Sequence, residues 1–208
     1  MARIFRNLLL LSFVTLYLSA CATLNKDECK IANWRVIGYE DGANGYLASR
    51  IGEHRAACAE YGVRPDLDAY SDGRAEGLQQ YCIPANGYRL GLSGSTYNGV
   101  CSGYGESRFL GAFDTGKELL QEKNELHRMV NDFIDKQEYQ TVLQIRLEDK
   151  ENLIMNGRLT RDKTQLLLHE TKAIALELGA LEESMHALDV KIINQKRYIT
   201  DFTAKQHY

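Results

Sequence analysis

Four side chains in the first half of the chain have the chemistry to move a proton: Asp41, His54, Asp72 and Glu76. A carboxylate within hydrogen-bond reach of an imidazole can orient a general base, which is the use such a set would have. Each also has a simpler use. Asp41 and Asp72 stand in Tyr39-Glu40-Asp41-Gly42 and Tyr70-Ser71-Asp72-Gly73, where an aspartate reads as an N-cap for the free N–H groups that open a helix. Asp114 or Thr115 would do the same in Phe113-Asp114-Thr115-Gly116, and Glu76, four residues after Asp72, would support a first turn. No residue is therefore assigned as catalytic. A second set, Tyr39, Asp41, Tyr70, Asp72, Arg74, Tyr81 and Tyr97, could line a groove for glycan or peptide, since aromatic faces suit sugars and a guanidinium fork suits carboxylates. The chain has no Gly-x-Ser-x-Gly, phosphate loop, His-Glu-x-x-His or dinucleotide fingerprint, so neither cofactor nor catalytic metal is expected.

The five cysteines carry more specific chemistry. Cys21 follows Leu18-Ser19-Ala20 at the end of an apolar run that begins at Leu8, behind Arg3 and Arg6, the layout of a cleavable export peptide. The run is shorter than the roughly 20 apolar residues of a membrane span. Residues 1–20 are thus expected to be a lipoprotein signal, with Cys21 becoming the lipidated first residue of the mature chain. Ala22 stands where aspartate would signal inner-membrane retention, so the expected location is the outer membrane, lipid-anchored and facing the periplasm. In that oxidising compartment the other four cysteines form an even set, Cys29, Cys58, Cys82 and Cys101. Three pairings are open, of which the most local joins Cys29 to Cys58 and Cys82 to Cys101. A metal site built from His54 and Cys58, four apart on one helix face, competes with this, although no Cys-x-x-Cys spacing supports it.

The elements that must position these groups fall into two halves. Fifteen of the 17 glycines lie between Gly38 and Gly116, and beyond Gly103 there is no further cysteine or proline. This divides the mature chain into a Cys/Gly/Tyr-rich head, residues 21–116, and a helical tail, residues 117–208. In the head, a helix is expected over residues 43–60 with Leu47, Ile51, Ala57 and Cys58 on one side, closed by Tyr61-Gly62. A turn at Arg64-Pro65-Asp66 precedes a helix from Asp72 to Cys82, and Ile83 to Gly87 makes another turn. Trp34 reads as core. Glycines recur at helical spacing at Gly38, Gly42 and Gly45, at Gly73 and Gly77, and at Gly87, Gly91 and Gly94, so a neighbouring helix or tyrosine ring could approach the bare backbone closely. The tail carries a 4-3 seam through Leu167, Thr171, Ile174, Leu178, Leu181, Met185, Leu188, Ile192, Gln195, Ile199 and Phe202. A helix from Lys117 to Leu153, a stop at Met155-Asn156-Gly157-Arg158 and a restart at Thr160 complete an antiparallel hairpin. The fold class is mainly α, a disulfide-held head followed by a helical coiled-coil hairpin.

Removing Arg3 and Arg6 leaves the 28 acidic residues further in excess of the basic ones, which argues against nucleic acid as a partner. Partners consistent with the pattern are the membrane through the lipid, a protein or second copy through the tail helices, and peptidoglycan.

Trp34-(x)3-Gly38-Tyr39-Glu40-Asp41-Gly42, Cys58 with Tyr61-Gly62-Val63, Tyr70-Ser71-Asp72-Gly73-Arg74-(x)2-Gly77-Leu78-(x)2-Tyr81-Cys82 and Gly91-(x)2-Gly94-(x)2-Tyr97-Asn98-Gly99-Val100-Cys101 together resemble a family of bacterial lipoproteins, domain of unknown function 2799. The resemblance spans about residues 27–116. It implies a lipid-anchored envelope protein and assigns no chemistry.

Overall fold

The computed structural model describes residues 23–206; the signal segment and Cys21 lie outside them. Seven helices and no strand occur among the described residues: α1 (Lys26–Lys30), α2 (Trp34–Ala43), α3 (Arg50–Ala59), α4 (Leu67–Tyr81), α5 (Pro84–Leu92), α6 (Glu106–Asn156) and α7 (Arg161–Ala204). None is long and apolar enough to cross a membrane. Two compact units separate, one reaching Leu90 and including Ser95–Phe113, the other made of Gly91–Gly94 and the chain from Asp114 onward.

In the first unit the helix starts differ from those expected. Asn33 caps α2 by accepting from the Val36 amide at 3.3 Å, and Asp66 caps α4 by accepting from Ala69 at 3.0 Å. Asp41, Asp72, Asp114 and Thr115 all lie inside helices and cap nothing. The stretches Tyr39 to Gly42 and Tyr70 to Gly73 lie inside helices and place glycines where another backbone comes close. Gly38 and Gly42 of α2 face Gly73 and Gly77 of α4, and the two helices run parallel at backbone contact. A Cβ on Gly38 would sit 2.0 Å from the Tyr70 carbonyl oxygen, and one on Gly73 would sit 1.9 Å from that of Arg35. Paired Gly-x3-Gly faces of this kind allow Cα–H···O contacts that no side chain would permit.

The expected helix over residues 43–60 breaks at its start. Gly45 takes φ +72°, the left-handed region open to glycine, and the Tyr81 ring covers it. The helix proper begins at Arg50, which leaves Leu47 exposed in the α2–α3 loop instead of on the apolar side. It closes as expected, with Gly62 at φ +70° and the Val63 amide donating to the Cys58 carbonyl at 3.2 Å. The stretch expected to be a turn at Ile83 to Gly87 is instead the start of α5, with Pro84 at the first helical position, where its missing N–H leaves no orphan donor.

Two disulfides join Cys29 to Cys58 and Cys82 to Cys101, each across 5.5 Å between Cα atoms. Each anchors its own small core. Cys29, Cys58, Trp34 and Tyr70 form one cluster; Leu78, Tyr81, Cys82, Val100, Cys101, Phe109 and Phe113 form the other. The second cluster explains why α6 begins at Glu106 and not at Lys117. Burial of Phe109, Ala112 and Phe113 holds that stretch helical through Gly111.

In the second unit α6 and α7 are antiparallel. Glu118 pairs with Tyr198, Glu122 with Gln195, Tyr139 with Glu177, and Lys150 with Glu170, so one partner number rises as the other falls. Every residue of the expected α7 seam is buried or half-buried, from Leu167 through Leu188 and Ile192 to Phe202. The α6 seam is Leu119, Glu122, Leu126, Met129, Phe133, Lys136, Gln140, Leu143, Leu147, Lys150 and Ile154, and four of its eleven positions are polar. That admixture explains why the sequence of α6 reads less regularly than that of α7.

Candidate functional site

The close approach of α2 and α4 fixes what lies beside their glycines. Asp41 precedes Gly42, and Tyr70 stands one turn before Gly73, so the contact brings phenol and carboxylate together. The Tyr70 hydroxyl donates to Asp41 Oδ2 at 2.7 Å. His54 enters from α3, with Nε2 2.9 Å from the same oxygen, and its Nδ1 lies 2.9 Å from Thr23 Oγ1. An ionised carboxylate only accepts, so Nε2 carries a proton; in the neutral ring Nδ1 then accepts from the Thr23 hydroxyl. Arg50 brings Nε to 3.8 Å from Asp41 Oδ1, lays its guanidinium 4.3 Å over the Tyr46 ring, and donates from Nη1 to Glu53 at 2.9 Å.

The centre of this network is dry. Asp41 is 6% exposed, His54 3% and Tyr70 2%. Burial, then the hydrogen bond to Asp41, push the Tyr70 phenol well above the usual tyrosine range. Thr23, His54 and Asp41 stand in the order hydroxyl, imidazole, carboxylate, which is the order of an activated nucleophile. Such a nucleophile also needs room for a reacting carbonyl and donors for its oxyanion. A cleft of about 700 Å³ does open in the head, lined by Arg55, Ala59, Gly62, Val63, Arg64, Pro65 and Leu67, none of which belongs to the network. The chemistry that this geometry supports is a charge-assisted clamp between α2, α3, α4 and the entering chain.

The other candidates are placed apart. Asp72 lies 3.8 Å from Arg35, and Glu76 pairs with the same guanidinium, both on the exposed surface of the α2–α4 pair. Of the seven groove candidates, Asp41 and Tyr70 meet inside the buried network, and the others make separate contacts. Tyr39 is exposed on α2, and Arg74 donates from Nη2 to the Tyr46 carbonyl at 2.8 Å. Tyr81 stacks on Phe109 and covers Gly45. Tyr97 packs on Phe109 and Phe113, donates to Glu106 at 2.7 Å and accepts from the Cys101 amide at 2.8 Å. Burial, followed by the Glu106 hydrogen bond, pushes its phenol up to about 12. The metal alternative loses its thiolate, because Cys58 is bonded to Cys29.

Thr23, Arg35 and Arg50 were not singled out by the sequence. Arg35 could have been, since it lies one turn before Tyr39 on a helix whose Gly-x3-Gly spacing matches that of the Asp72–Glu76 helix. Thr23 carries no motif at all.

Residues 33–118 match the model of a family described as a protein of unknown function, DUF2799. The match starts at the cap of α2, covers both Gly-x3-Gly faces, Asp41, His54 and Tyr70, and ends inside α6. No curated protein and no solved structure matches the chain.

Proposed function

We propose that this chain is a lipid-anchored lipoprotein of the bacterial outer membrane, facing the periplasm, whose head and hairpin bind rather than catalyse. The observation that carries the non-catalytic part is the fate of the four acid–base candidates. Asp41 and His54 are sealed in a clamp, while Asp72 and Glu76 are tied to Arg35 on an open surface. The anchor rests on Arg3, Arg6, the apolar run and Leu18-Ser19-Ala20-Cys21. Two disulfides suit an oxidising compartment. On α7 the side opposite the seam is not sealed: Leu166, Leu176 and Val190 are exposed, with Leu176 at 68%, which suits a helical protein partner or a second copy.

Sucrose-gradient separation of the envelope tests the location. The wild-type protein is expected with the outer membrane, and Ala22→Asp is expected to move it to the inner membrane. Wild-type protein in the inner-membrane or soluble fraction would overturn the reading.

A second reading, a peptidoglycan-binding module, is favoured by the cleft. Arg55 and Arg64 both line it, and neither has an ion-pair partner among the described residues. Two guanidinium groups beside Val63, Pro65 and Leu67 suit a carboxylate on a short peptide stem. Cosedimentation with purified peptidoglycan that is lost in the Arg55→Ala, Arg64→Ala double variant would establish this reading; no cosedimentation would dismiss it.

A further inference from the structure

We infer that the α2–α3 loop, residues 44–49, is a membrane-contact surface that rests in the lipid headgroup layer beside the anchor. The inference builds on the proposed lipidation of Cys21, and its own content is where the head touches.

The tether sets the first constraint. Thr23 is the second residue after Cys21, and two residues of extended chain reach about 7 Å. Thr23 is not loose: its hydroxyl is 2.9 Å from His54 Nδ1, and Leu24 packs against the cluster of Cys29, Trp34, Cys58 and Tyr70. A head fixed at Thr23 to a lipidated Cys21 has no linker with which to stand away from the bilayer.

The second constraint is the surface found beside that point. A chain of contacts leads from Thr23 to His54 at 2.9 Å, to Asp41 at 2.9 Å, to Arg50 at 3.8 Å and to the Tyr46 ring at 4.3 Å. Arg50 is also one helical turn before His54, about 6 Å along α3. The loop reached in this way is Asn44-Gly45-Tyr46-Leu47-Ala48-Ser49, six residues without a charged side chain. Leu47 is 50% exposed and Tyr46 43% exposed. Two guanidinium groups stand at its base, Arg50 under the Tyr46 ring and Arg74 on the Tyr46 carbonyl. An uncharged tip with an exposed leucine and tyrosine, backed by arginines, has the chemistry of the membrane interface. Tyrosine settles at headgroup depth and a leucine side chain reaches the acyl boundary, while Arg50, paired with Glu53, and Arg74, bonded to the Tyr46 carbonyl, hold the loop in place.

The test uses the full chain carrying Leu47→Trp, purified from envelopes and reconstituted in vesicles of phosphatidylethanolamine and phosphatidylglycerol, with or without brominated acyl chains. Intact mass of the same sample reports whether Cys21 is acylated. The inference expects an acylated protein whose added tryptophan emits at shorter wavelength in vesicles and is quenched by the brominated chains. The wild-type protein, whose sole tryptophan Trp34 is buried, should change little. Tyr46→Trp provides a second reporter should Leu47→Trp fail to fold. An acylated protein with an unshifted, unquenched reporter would overturn the inference while leaving the anchor standing. A mass without acyl chains would overturn both.

Discussion

At the scale of single residues, Asp41 is the most constrained group in the head. One of its oxygens takes both the Tyr70 hydroxyl and His54 Nε2, and the other faces Arg50. Asp41→Asn keeps the shape but replaces an acceptor-only carboxylate with an amide that must turn a donor toward a donor or give up its charge-assisted bonds. A loss of about 2–4 kcal/mol is expected, because buried donors are left without a strong acceptor. Urea denaturation with the disulfides intact measures it; an unchanged midpoint would mean that the clamp contributes nothing. The tyrosines give a pH dependence with a defined sign. Tyr97 is raised from 10.0 to about 12 and Tyr70 is raised beyond it, so the fold favours their neutral forms. Their contribution is complete below the ordinary tyrosine range and is lost as pH rises from about 10 through the folded values. Phenolate absorbance followed together with near-ultraviolet circular dichroism should show these rings ionising only as the tertiary signal disappears. Ionisation of every tyrosine near pH 10 with that signal intact would contradict the packing. Little of this could be read from the residues alone. Asp41 next to a glycine looks like a cap, and it becomes a buried acceptor only once α4 lies against α2.

At the scale of elements, the α2–α4 contact is the feature on which the head depends. Gly42→Ala or Gly73→Ala would put a methyl 2.2 Å from the Arg74 carbonyl oxygen or 1.9 Å from that of Arg35. Backbone cannot swing aside as a side chain can, so the helices must part, at about 3 kcal/mol or more. Gly111→Ala is the control. It lies in α6, where an added Cβ would meet nothing within 4 Å, and it should gain about 1 kcal/mol from helix propensity. Thermal melts of the three variants check the contrast, and similar melting temperatures would contradict it. In the hairpin, Leu143 is fully buried on the α6 seam, and Leu143→Ala should cost about 2–5 kcal/mol. The glycine spacings, the Gly62 stop and the α7 seam were legible because each rests on a local period. The starts of α2, α4 and α6 were not, because they follow from tertiary contacts: Asn33 and Asp66 cap helices that run through Gly42 and Gly73, and Phe109 holds α6 helical ahead of Lys117.

At the scale of the whole molecule, the chain combines a small head with a long helical hairpin. Small heads of this size gain stability from cross-links, and the two bridges here join cysteines 29 and 19 residues apart in sequence. The local pairing was readable because four cysteines leave three choices, and the one the structure makes has the shortest total separation in sequence. The proposed location rests on the first 21 residues alone, while the α2–α3 loop was not legible, since Leu47 falls at helical spacing with Ile51. The central claim, that a lipid on Cys21 holds this protein at the membrane, is tested most directly by mass spectrometry of the mature N-terminus. The expected result is a chain beginning at Cys21 that carries diacylglycerol and a further acyl chain, absent in Cys21→Ser. A mature chain that begins elsewhere, or a Cys21 without lipid, would contradict it.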